Sequence, residues 1–286
     1  MPFDHIPPLL RDSSTKIVLL VMDGLGGLPV KPGGPTELEA AQTPRMDQLA
    51  AEGVLGQVTP IRTGITPGSG PAHLALFGYD PLEYEIGRGV LESVGVGLKV
   101  GLGDIAARGN FCTLDDDGNI SDRRAGRISS AEAIPLIESL KSVEVPGVMT
   151  EVHHVKEYRF AVVMRGENLH PEILDTDPQR TGVPPLPAAA QSPAAEPTAA
   201  LFNQWISKAQ QALSDQTKAN GMTLRGFSTD PRLPTFKDSY GLNAAAISVY
   251  PMYKGVASLV GMQVIDFKGE APEDEFSALK LSLIHI

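Results

Sequence analysis

A serine flanked by glycines, Ser69, opens a short apolar segment in the run PGSGPAHL at residues 67–74. The pattern predicts that its hydroxyl lies at the N-terminus of a helix, where free backbone N–H groups and the helix dipole favour an anion. A phosphoserine could form and be stabilised there. The same residues also fit a plain N-cap serine with Pro71 in the first turn, which involves no chemistry.

An aspartate, Asp23, follows the run KIVLLVM at residues 16–22. Such a run is typical of a strand buried on both faces of a parallel sheet. A carboxylate at the carboxyl end of that strand would lie in the crevice where open α/β sheets bind ligands, and it could hold a metal ion. An Asp-Gly turn without chemistry explains the same residues equally well.

Arginines are concentrated between residues 108 and 180 of an otherwise acidic chain. Guanidinium groups bind phosphate and carboxylate through paired hydrogen bonds, which suits a small anionic substrate. The run DRRAGR at residues 122–127 fits a solvated basic turn as well. The arginines of this region are Arg108, Arg123, Arg124, Arg127, Arg159, Arg165 and Arg180.

Two aspartates, Asp175 and Asp177, lie close together in the run DTDP. They could orient an arginine or handle a proton of a substrate hydroxyl, and a role in a turn fits as well. Arg225 and Lys254 follow predicted strands and are further candidates for binding phosphate.

The histidines have weaker candidate roles. His73 follows Ser69 by one helical turn, and packing or capping explains it better than metal binding. His153 and His154 are neighbours on a predicted strand. Their side chains should therefore point to opposite faces and cannot hold one metal ion together.

The elements that must position these residues begin with a βαβ-like pattern: a strand at 17–22, a helix at 43–51 with Thr43 as N-cap, and a strand at 54–59. The glycine-rich stretch at 87–103 is interpreted as a connection. Further on, the patterns predict a hairpin of strands 107–114 and 119–122, a helix at 129–142, a strand at 152–164, a surface loop at 183–200, an amphipathic helix at 201–214 and a buried strand at 244–249.

Composition limits the function classes. The 286 residues carry a net charge of −10, which argues against a nucleic-acid surface. Cys112 is the only cysteine, so no intrachain disulfide can form, and its place in a predicted strand favours packing over reactivity. The N-terminus resembles no signal peptide, and no run reaches membrane-spanning length. We therefore expect a cytoplasmic protein.

Three runs in this order resemble the alkaline phosphatase superfamily: the strand-end aspartate, the helix run TPRMDQLAAEG at 43–53 and the helix-opening serine. The closer resemblance is to the archaeal-type, cofactor-independent (2,3-bisphosphoglycerate-independent) phosphoglycerate mutases. It covers nearly the whole chain, through VMDGLG (21–26), PGSGPAHLALFGYDP (67–81), ARGNFCT (107–113), DRRAGR (122–127), YRF (158–160), ILDTDP (173–178), LRG (224–226) and KG (254–255).

This resemblance implies an α/β fold, in which an alkaline-phosphatase-like core with a central, mostly parallel sheet carries an inserted, smaller α+β cap domain. The core would take residues 1–103 and 183–280, and the cap 104–182.

The resemblance also implies an isomerase that interconverts 3-phosphoglycerate and 2-phosphoglycerate through a phosphoserine. Two divalent metal ions (Mn, Zn or Mg) would assist, without 2,3-bisphosphoglycerate. Ser69 would be the nucleophile, Asp175 a second catalytic residue, and Asp23 and Ser69 metal ligands. We expect Arg124 to face outward and Arg165 to end a strand in solvent. The substrate-binding residues implied are Arg108, Asp122, Arg123, Arg127, Arg159, Arg225 and Lys254.

The remaining metal ligands of such enzymes lie late in their chains, beyond residue 286 of this one. Residues 281–286, LSLIHI, match the translation of a common transposase sequencing adapter, and a genuine strand at 283–286 is the alternative. On either interpretation, His285 is not assigned as a ligand. We therefore expect the C-terminal part of the core to be missing and the chain to be inactive or nearly so.

Two other functions fit the sequence. A metal-dependent phosphohydrolase or phosphonate-processing enzyme of the same superfamily would keep Asp23 and Ser69 without needing the arginines that bind a carboxylate. A non-catalytic binding protein on the same fold is the other alternative. The expected partner is a small phosphorylated metabolite, and neither nucleic acid nor a membrane is expected.

Overall fold

The computed structural model describes residues 5–22, 24–269 and 271–285, without the side chains of residues 272 and 281–285. The chain divides into two units, residues 9–59 and a larger unit of residues 5–8 and 60–285. The helices are α1 Glu37–Ala40, α2 Pro44–Glu52, α3 Ser69–Leu76, α4 Arg88–Gly95, α5 Ser130–Lys141, α6 Glu196–Ala212, α7 Phe236–Tyr240, α8 Pro251–Leu259 and α9 Pro272–His285.

The strands are β1 Ile105–Leu114, β2 Ile120–Asp122, β3 Met149–Lys156, β4 Arg159–Arg165, β5 Gly221–Ser228, β6 Ala245–Ala246 and β7 Gln263–Val264, and short 3-10 helices lie at Pro7–Leu9, Ala125–Arg127 and Pro193–Ala195. No helix in the described ranges is long and apolar enough to cross a membrane.

The smaller unit contains α1 and α2. Helix α2 begins after Thr43, has Pro44 in its first turn and ends at Gly53, which confirms the predicted helix. The predicted strands at 17–22 and 54–59 are wrong for the described residues, because neither segment pairs with another strand. Residues 17–22 leave their apolar side chains exposed. A strand needs a neighbour to bond its N–H and C=O groups, and an apolar run alone supplies none.

The larger unit contains an antiparallel sheet in the order β2-β1-β4-β3, with β5 also pairing with β1. The hairpin of β1 and β2 confirms the sequence prediction. The single strand predicted at 152–164 is wrong: β3 and β4 form a hairpin, which turns at Glu157 with a φ of +50°. No glycine, proline or asparagine marks this turn in the sequence.

One face of the sheet carries the main core. Helices α5 and α6 cover it, and Phe111, Phe160 and Trp205 are fully buried there. Helix α5 confirms the helix predicted at 129–142, and its N-cap Ser129 forms a capping box with Glu132. Helix α6 begins at Glu196, within the segment predicted as a surface loop, because the chain enters it from a 3-10 turn with proline in the first helical turn.

The other face of the sheet is covered by α4. The interpretation of 87–103 as a connection is therefore wrong for 88–95. Two glycines allow its close packing: a Cβ on Gly89 would overlap the backbone of Ala106 in β1, and a Cβ on Gly95 would overlap the carbonyl of Pro251 in α8. The role of these two glycines is therefore to let the backbone of α4 approach other backbones closely, and not to make this segment flexible.

The C-terminal region contains a small parallel pair, β6 with β7. The buried strand predicted at 244–249 is thus reduced to two residues, neither of them buried. Residues 283–285 continue α9, so the alternative of a strand there is wrong, and Ile286 lies outside the described residues. The predicted cap at 104–182 stays a prediction; the sheet that it supplies also includes β5, from residues 221–228.

Candidate functional site

Ser69 opens α3, as predicted. Gly68 is the N-cap and Ser69 the first helical residue, with an exposed side chain, so the plain N-cap interpretation is wrong. The Nδ1 atom of His73 lies 2.9 Å from the Ser69 carbonyl oxygen, and its ring centroid lies 4.4 Å from that of Tyr253. The packing role predicted for His73 is confirmed.

Helix α3 contacts α4 beside the serine. A Cβ on Gly70 would lie 2.7 Å from Cδ1 of Leu91, the residue that precedes Glu92 in α4. The helix that presents Ser69 therefore packs against the helix that covers the arginine-bearing face of the sheet.

Three of the predicted substrate arginines lie on that face. Arg108 of β1 pairs directly with Arg225 of β5, and Asn110 of β1 pairs with Arg159 of β4. Directly opposite residues share a face of a sheet, and so do alternate residues of one strand. Ala106 and Ala161 mark this face, since they pack with Val90 of α4. We call Arg108, Arg159 and Arg225 the arginine face.

Arg123 joins the arginine face through a shared carboxylate. Its Nε and Nη2 donate to the two oxygens of Asp177 at 3.2 and 2.8 Å, and Arg225 Nη1 lies 3.5 Å from the same carboxylate. The backbone N–H of Gln179 also donates to Asp177, at 2.8 Å. Burial alone would raise the pKa of Asp177, but these hydrogen bonds hold it below its usual value.

Asp175 contacts Arg225 from its other side. One carboxylate oxygen accepts from Arg225 Nε at 3.1 Å, and the other accepts from the backbone N–H of Gly226 at 2.7 Å. This geometry fits the interpretation in which Asp175 orients an arginine.

Glu92 of α4 lies under the arginine face and is 1% exposed. One of its oxygens lies 3.5 Å from Arg108 Nη1. Its other oxygen, and the Nε atoms of Arg108 and Arg159, are buried without a hydrogen-bond partner in the described part of the chain. Burial raises the pKa of Glu92, with the nearby arginines opposing it, and burial lowers the pKa of Arg108.

The other predicted site residues have different surroundings. Asp122 accepts the backbone N–H groups of Arg124 and Gly126, so its carboxylate shapes the turn. Arg127 is exposed in that turn with a φ of +51°. Lys254 lies 3.8 Å from Asp266.

Two further arginines had predicted surroundings. Arg124 is exposed, as predicted. Arg165 was expected in solvent, but it pairs with Glu151 and Asp104 because these carboxylates flank its strand end.

A metal site is not formed by the described residues. Asp23 lies outside them, and no group of three or more histidine, cysteine, aspartate or glutamate side chains within them could hold a metal ion. His153 lies near Glu151, whereas His154 Nε2 lies 2.9 Å from the Glu157 carbonyl oxygen, so the two do not act as a pair.

Cys112 is buried with a pKa raised by desolvation to about 12, which confirms its packing role.

Sequence reasoning missed Glu92. The signal that could have found it is a single carboxylate inside the apolar stretch VLESV at 90–94, since a charge in such a stretch needs partners. With Glu92 included, four arginines (Arg108, Arg123, Arg159 and Arg225) meet four carboxylates (Glu92, Glu157, Asp175 and Asp177). The arginine donors without a partner among the described residues suit a small oxyanion.

Comparison with known proteins identifies similar chains. Residues 50–218 match the model of a family described as 2,3-bisphosphoglycerate-independent phosphoglycerate mutase. A probable mutase of this kind from Thermus thermophilus is 48% identical over 282 residues, which is 97% of this chain and 70% of the relative. A probable mutase from Deinococcus radiodurans is 48% identical over 284 residues, which is 97% of this chain and 69% of the relative.

Two solved structures are similar as well. The cofactor-independent phosphoglycerate mutase from Thermoplasma acidophilum matches with a TM-score of 0.57 and 32% identity, over 69% of this chain and 56% of that one. The PH0037 protein from Pyrococcus horikoshii matches with a TM-score of 0.70 and 30% identity, over 86% of this chain and 60% of that one.

Proposed function

Because the chain belongs to the family of 2,3-bisphosphoglycerate-independent phosphoglycerate mutases, which are isomerases, we propose that it interconverts 3-phosphoglycerate and 2-phosphoglycerate. The observation that carries the proposal is the arginine face. A phosphoglycerate has a phosphate and a carboxylate, and each accepts the paired hydrogen bonds that guanidinium groups donate.

Substrate binding is proposed to use the arginine face together with Arg123. Asp177 fixes Arg123 and Arg225 relative to one another, and Asp175 restrains Arg225 from the other side. A guanidinium held by a carboxylate loses less conformational freedom when it binds its ligand. Arg127, Asp122 and Lys254 stay proposed contributors at the edge of this site.

Ser69 is proposed as the nucleophile. The Ser69 hydroxyl gives up its proton as its oxygen attacks the phosphorus of 3-phosphoglycerate, the bond to the 3-oxygen breaks, and that oxygen takes up a proton to become a hydroxyl. The 2-hydroxyl of the retained glycerate then gives up its proton and attacks the phosphoserine, the bond to the Ser69 oxygen breaks, and that oxygen takes up a proton again. The N-terminal N–H groups of α3 favour the negative charge at this position. Asp23 and Ser69 stay the proposed metal ligands, and 104–182 the proposed cap.

The experiment compares Ser69→Ala with the wild-type chain. Because the 286-residue chain by itself is expected to be inactive or nearly so, both versions are assayed as fusions to the part of the Thermus thermophilus relative that this chain does not cover. We expect the wild-type fusion to form 2-phosphoglycerate and to gain the mass of one phosphoryl group on Ser69. The variant should lose activity by on the order of a thousandfold or more, because the attacking oxygen is gone. The control is Ser207→Ala, which removes another exposed helical serine hydroxyl, on α6, and should leave the rate unchanged.

Two outcomes would overturn the proposal. Full activity in Ser69→Ala would exclude Ser69 as the nucleophile. Release of inorganic phosphate by the wild type without 2-phosphoglycerate would identify a phosphohydrolase instead.

A further inference from the structure

Glu92 is an unusual carboxylate because it is buried beside arginines without a good hydrogen bond from any of them. Its distance of 3.5 Å from Arg108 Nη1 exceeds the 2.7–2.9 Å or so of a charge-assisted hydrogen bond. Its second oxygen has no partner in the described part of the chain. A buried, unpartnered carboxylate oxygen is costly when charged and much less so when protonated.

The depth of Glu92 is set by backbone packing. Gly89 brings α4 into contact with the backbone of β1 at Ala106, and Leu91 contacts α8 closely because residue 255 is a glycine. Glu92 cannot leave the sheet without separating these backbones. Its carboxyl group therefore stays beside Arg108 whether or not it is charged.

The charged and titratable groups around Glu92 come from each element packed on it. Those that face it are Arg88 of α4 itself, Arg108 of β1, Arg159 of β4 and Tyr250 at the N-cap of α8. Beyond them, β5 places Arg225 on the same sheet face, and His73 of α3 packs on Tyr253. The nearby cations favour the charged form of Glu92, and burial favours the neutral form.

An oxyanion on the arginine face changes that balance. The Nε donors of Arg108 and Arg159 are buried without a partner in the described ranges. An anion that displaces the groups covering them would bond these donors and would take up the positive charge that the arginines now offer to Glu92. The anion also repels the Glu92 carboxylate. Binding and protonation must therefore favour one another by the same coupling free energy.

We propose that Glu92 takes up a proton from solvent when an oxyanion binds to the arginine face, and that its neutral carboxyl group stays buried beside the bound anion. Glu92 is thus a positioning residue that matches the charge of the site to its ligand. This rests on the proposed function in one respect, since the same face must bind a phosphate or carboxylate.

The experiment measures the protons exchanged when sulfate binds to the wild-type chain. Calorimetric titration in buffers of different ionisation enthalpy gives this number. Sulfate itself does not titrate between about pH 5 and about pH 8, so the exchanged proton belongs to the protein. We expect net uptake, and a sulfate affinity that falls by up to about tenfold per pH unit above the pKa of Glu92 in the free protein.

The matched variant is Glu92→Gln, which keeps the shape of the neutral acid. It should bind sulfate with the proton uptake of Glu92 removed and with a flatter pH profile. The control is Glu151→Gln, which removes a carboxylate on β3 that is 41% exposed and pairs with Arg165, and which should keep the wild-type proton uptake. A merely structural Glu92 would change affinity or stability in the variant but would leave wild-type proton uptake near zero.

The outcomes separate the two proposals. Sulfate binding that Arg108→Leu abolishes, without proton uptake in the wild type, would overturn the role of Glu92 alone. Absence of both sulfate and 3-phosphoglycerate binding in the folded wild type would overturn the proposed function together with it. The wild-type measurement decides the case even if a variant fails to fold.

Discussion

Asp177 and Glu92 are two buried carboxylates beside the same group of arginines, and they differ in how many donors reach them. Asp177 accepts two hydrogen bonds from Arg123 and one from a backbone N–H, and Arg225 lies beside it. Glu92 has one arginine nitrogen at 3.5 Å and an oxygen without a partner in the described ranges. Burial opposes the charge of both, but only Asp177 keeps a lowered pKa.

The difference shows that proximity to arginine does not by itself hold a charge inside a protein. Asp177 lies on a loop that can follow the guanidinium groups, whereas Glu92 lies on a helix whose position is fixed by backbone contacts. Geometry therefore makes one carboxylate a permanent anchor and leaves the other able to bind a proton.

The largest effect on stability is expected from Gly89→Ala, which would shift the position of Glu92 without changing its carboxylate. The added Cβ overlaps the Ala106 backbone, so α4 must move away from the sheet. We expect the free energy of unfolding to fall by about 2–3 kcal/mol, measured by denaturant titration. Glu92 would become more exposed and its proton uptake on sulfate binding smaller.

The control for this variant is Gly56→Ala, where an added Cβ meets nothing within 4 Å and φ is not positive. It should change stability by less than about 0.5 kcal/mol. Equal effects of the two substitutions would contradict the packing argument.

Asp177→Asn comes next and tests the anchor. The variant keeps an acceptor for Gln179 but loses the charge that holds Arg123 and Arg225. We expect the free energy of unfolding to fall by about 2 kcal/mol, and 3-phosphoglycerate to bind about tenfold more weakly. Its matched control is Asp175→Asn, whose side chain is 37% exposed and should cost less than about 1 kcal/mol. A larger loss of stability in Asp175→Asn than in Asp177→Asn would show that Asp175, and not Asp177, is the carboxylate that holds the arginines.

The smallest effect is a change of stability with pH, and it should have opposite signs for the two carboxylates. Because the pKa of Asp177 is lowered in the folded protein, its charge stabilises the fold at pH values above its pKa in the unfolded chain, which is about 3.9. This stabilisation is lost as the pH falls through the folded pKa. The raised pKa of Glu92 means that stability declines as pH rises from the unfolded value, about 4.3, through the folded pKa.

Unfolding measured across this range should therefore show that Asp177→Asn becomes more destabilising, relative to wild type, as pH rises. Glu92→Gln should instead become relatively more stable as pH rises. The same slope for both variants would show that the two environments do not differ in the way described.

Local signals in the sequence predicted much of the larger unit. The predicted helix at 129–142 matches α5, and the predicted hairpin of strands 107–114 and 119–122 matches β1 and β2. The β3–β4 turn at Glu157 was missed because its residues carry no turn signal. Helix α4 was missed because its glycines serve contacts with β1 and α8, which a local pattern does not reveal.

The site was predictable by residue type but not by arrangement. Arginine content indicated an anion, and the resemblance selected Arg108, Arg159 and Arg225. That these three share a face depends on the pairing of β1 with β4, about fifty residues away in the sequence, and with β5, more than a hundred residues away. The partners of Asp177 and Glu92 likewise come from other segments, so no spacing in the sequence indicates them.

Side chains along β1 alternate between the two faces of the sheet, so the number of residues in this strand decides which of them face α4 and which face the main core. Arg108 faces α4, whereas Phe111 faces Phe160 and Trp205 in the main core. An in-frame insertion of one codon between 108 and 111 would turn one of these side chains to the opposite face of the sheet. A guanidinium would then enter the aromatic core, or an aromatic ring would enter the arginine face. The reading frame alone therefore does not protect this strand, because its number of codons decides which face of the sheet each side chain occupies.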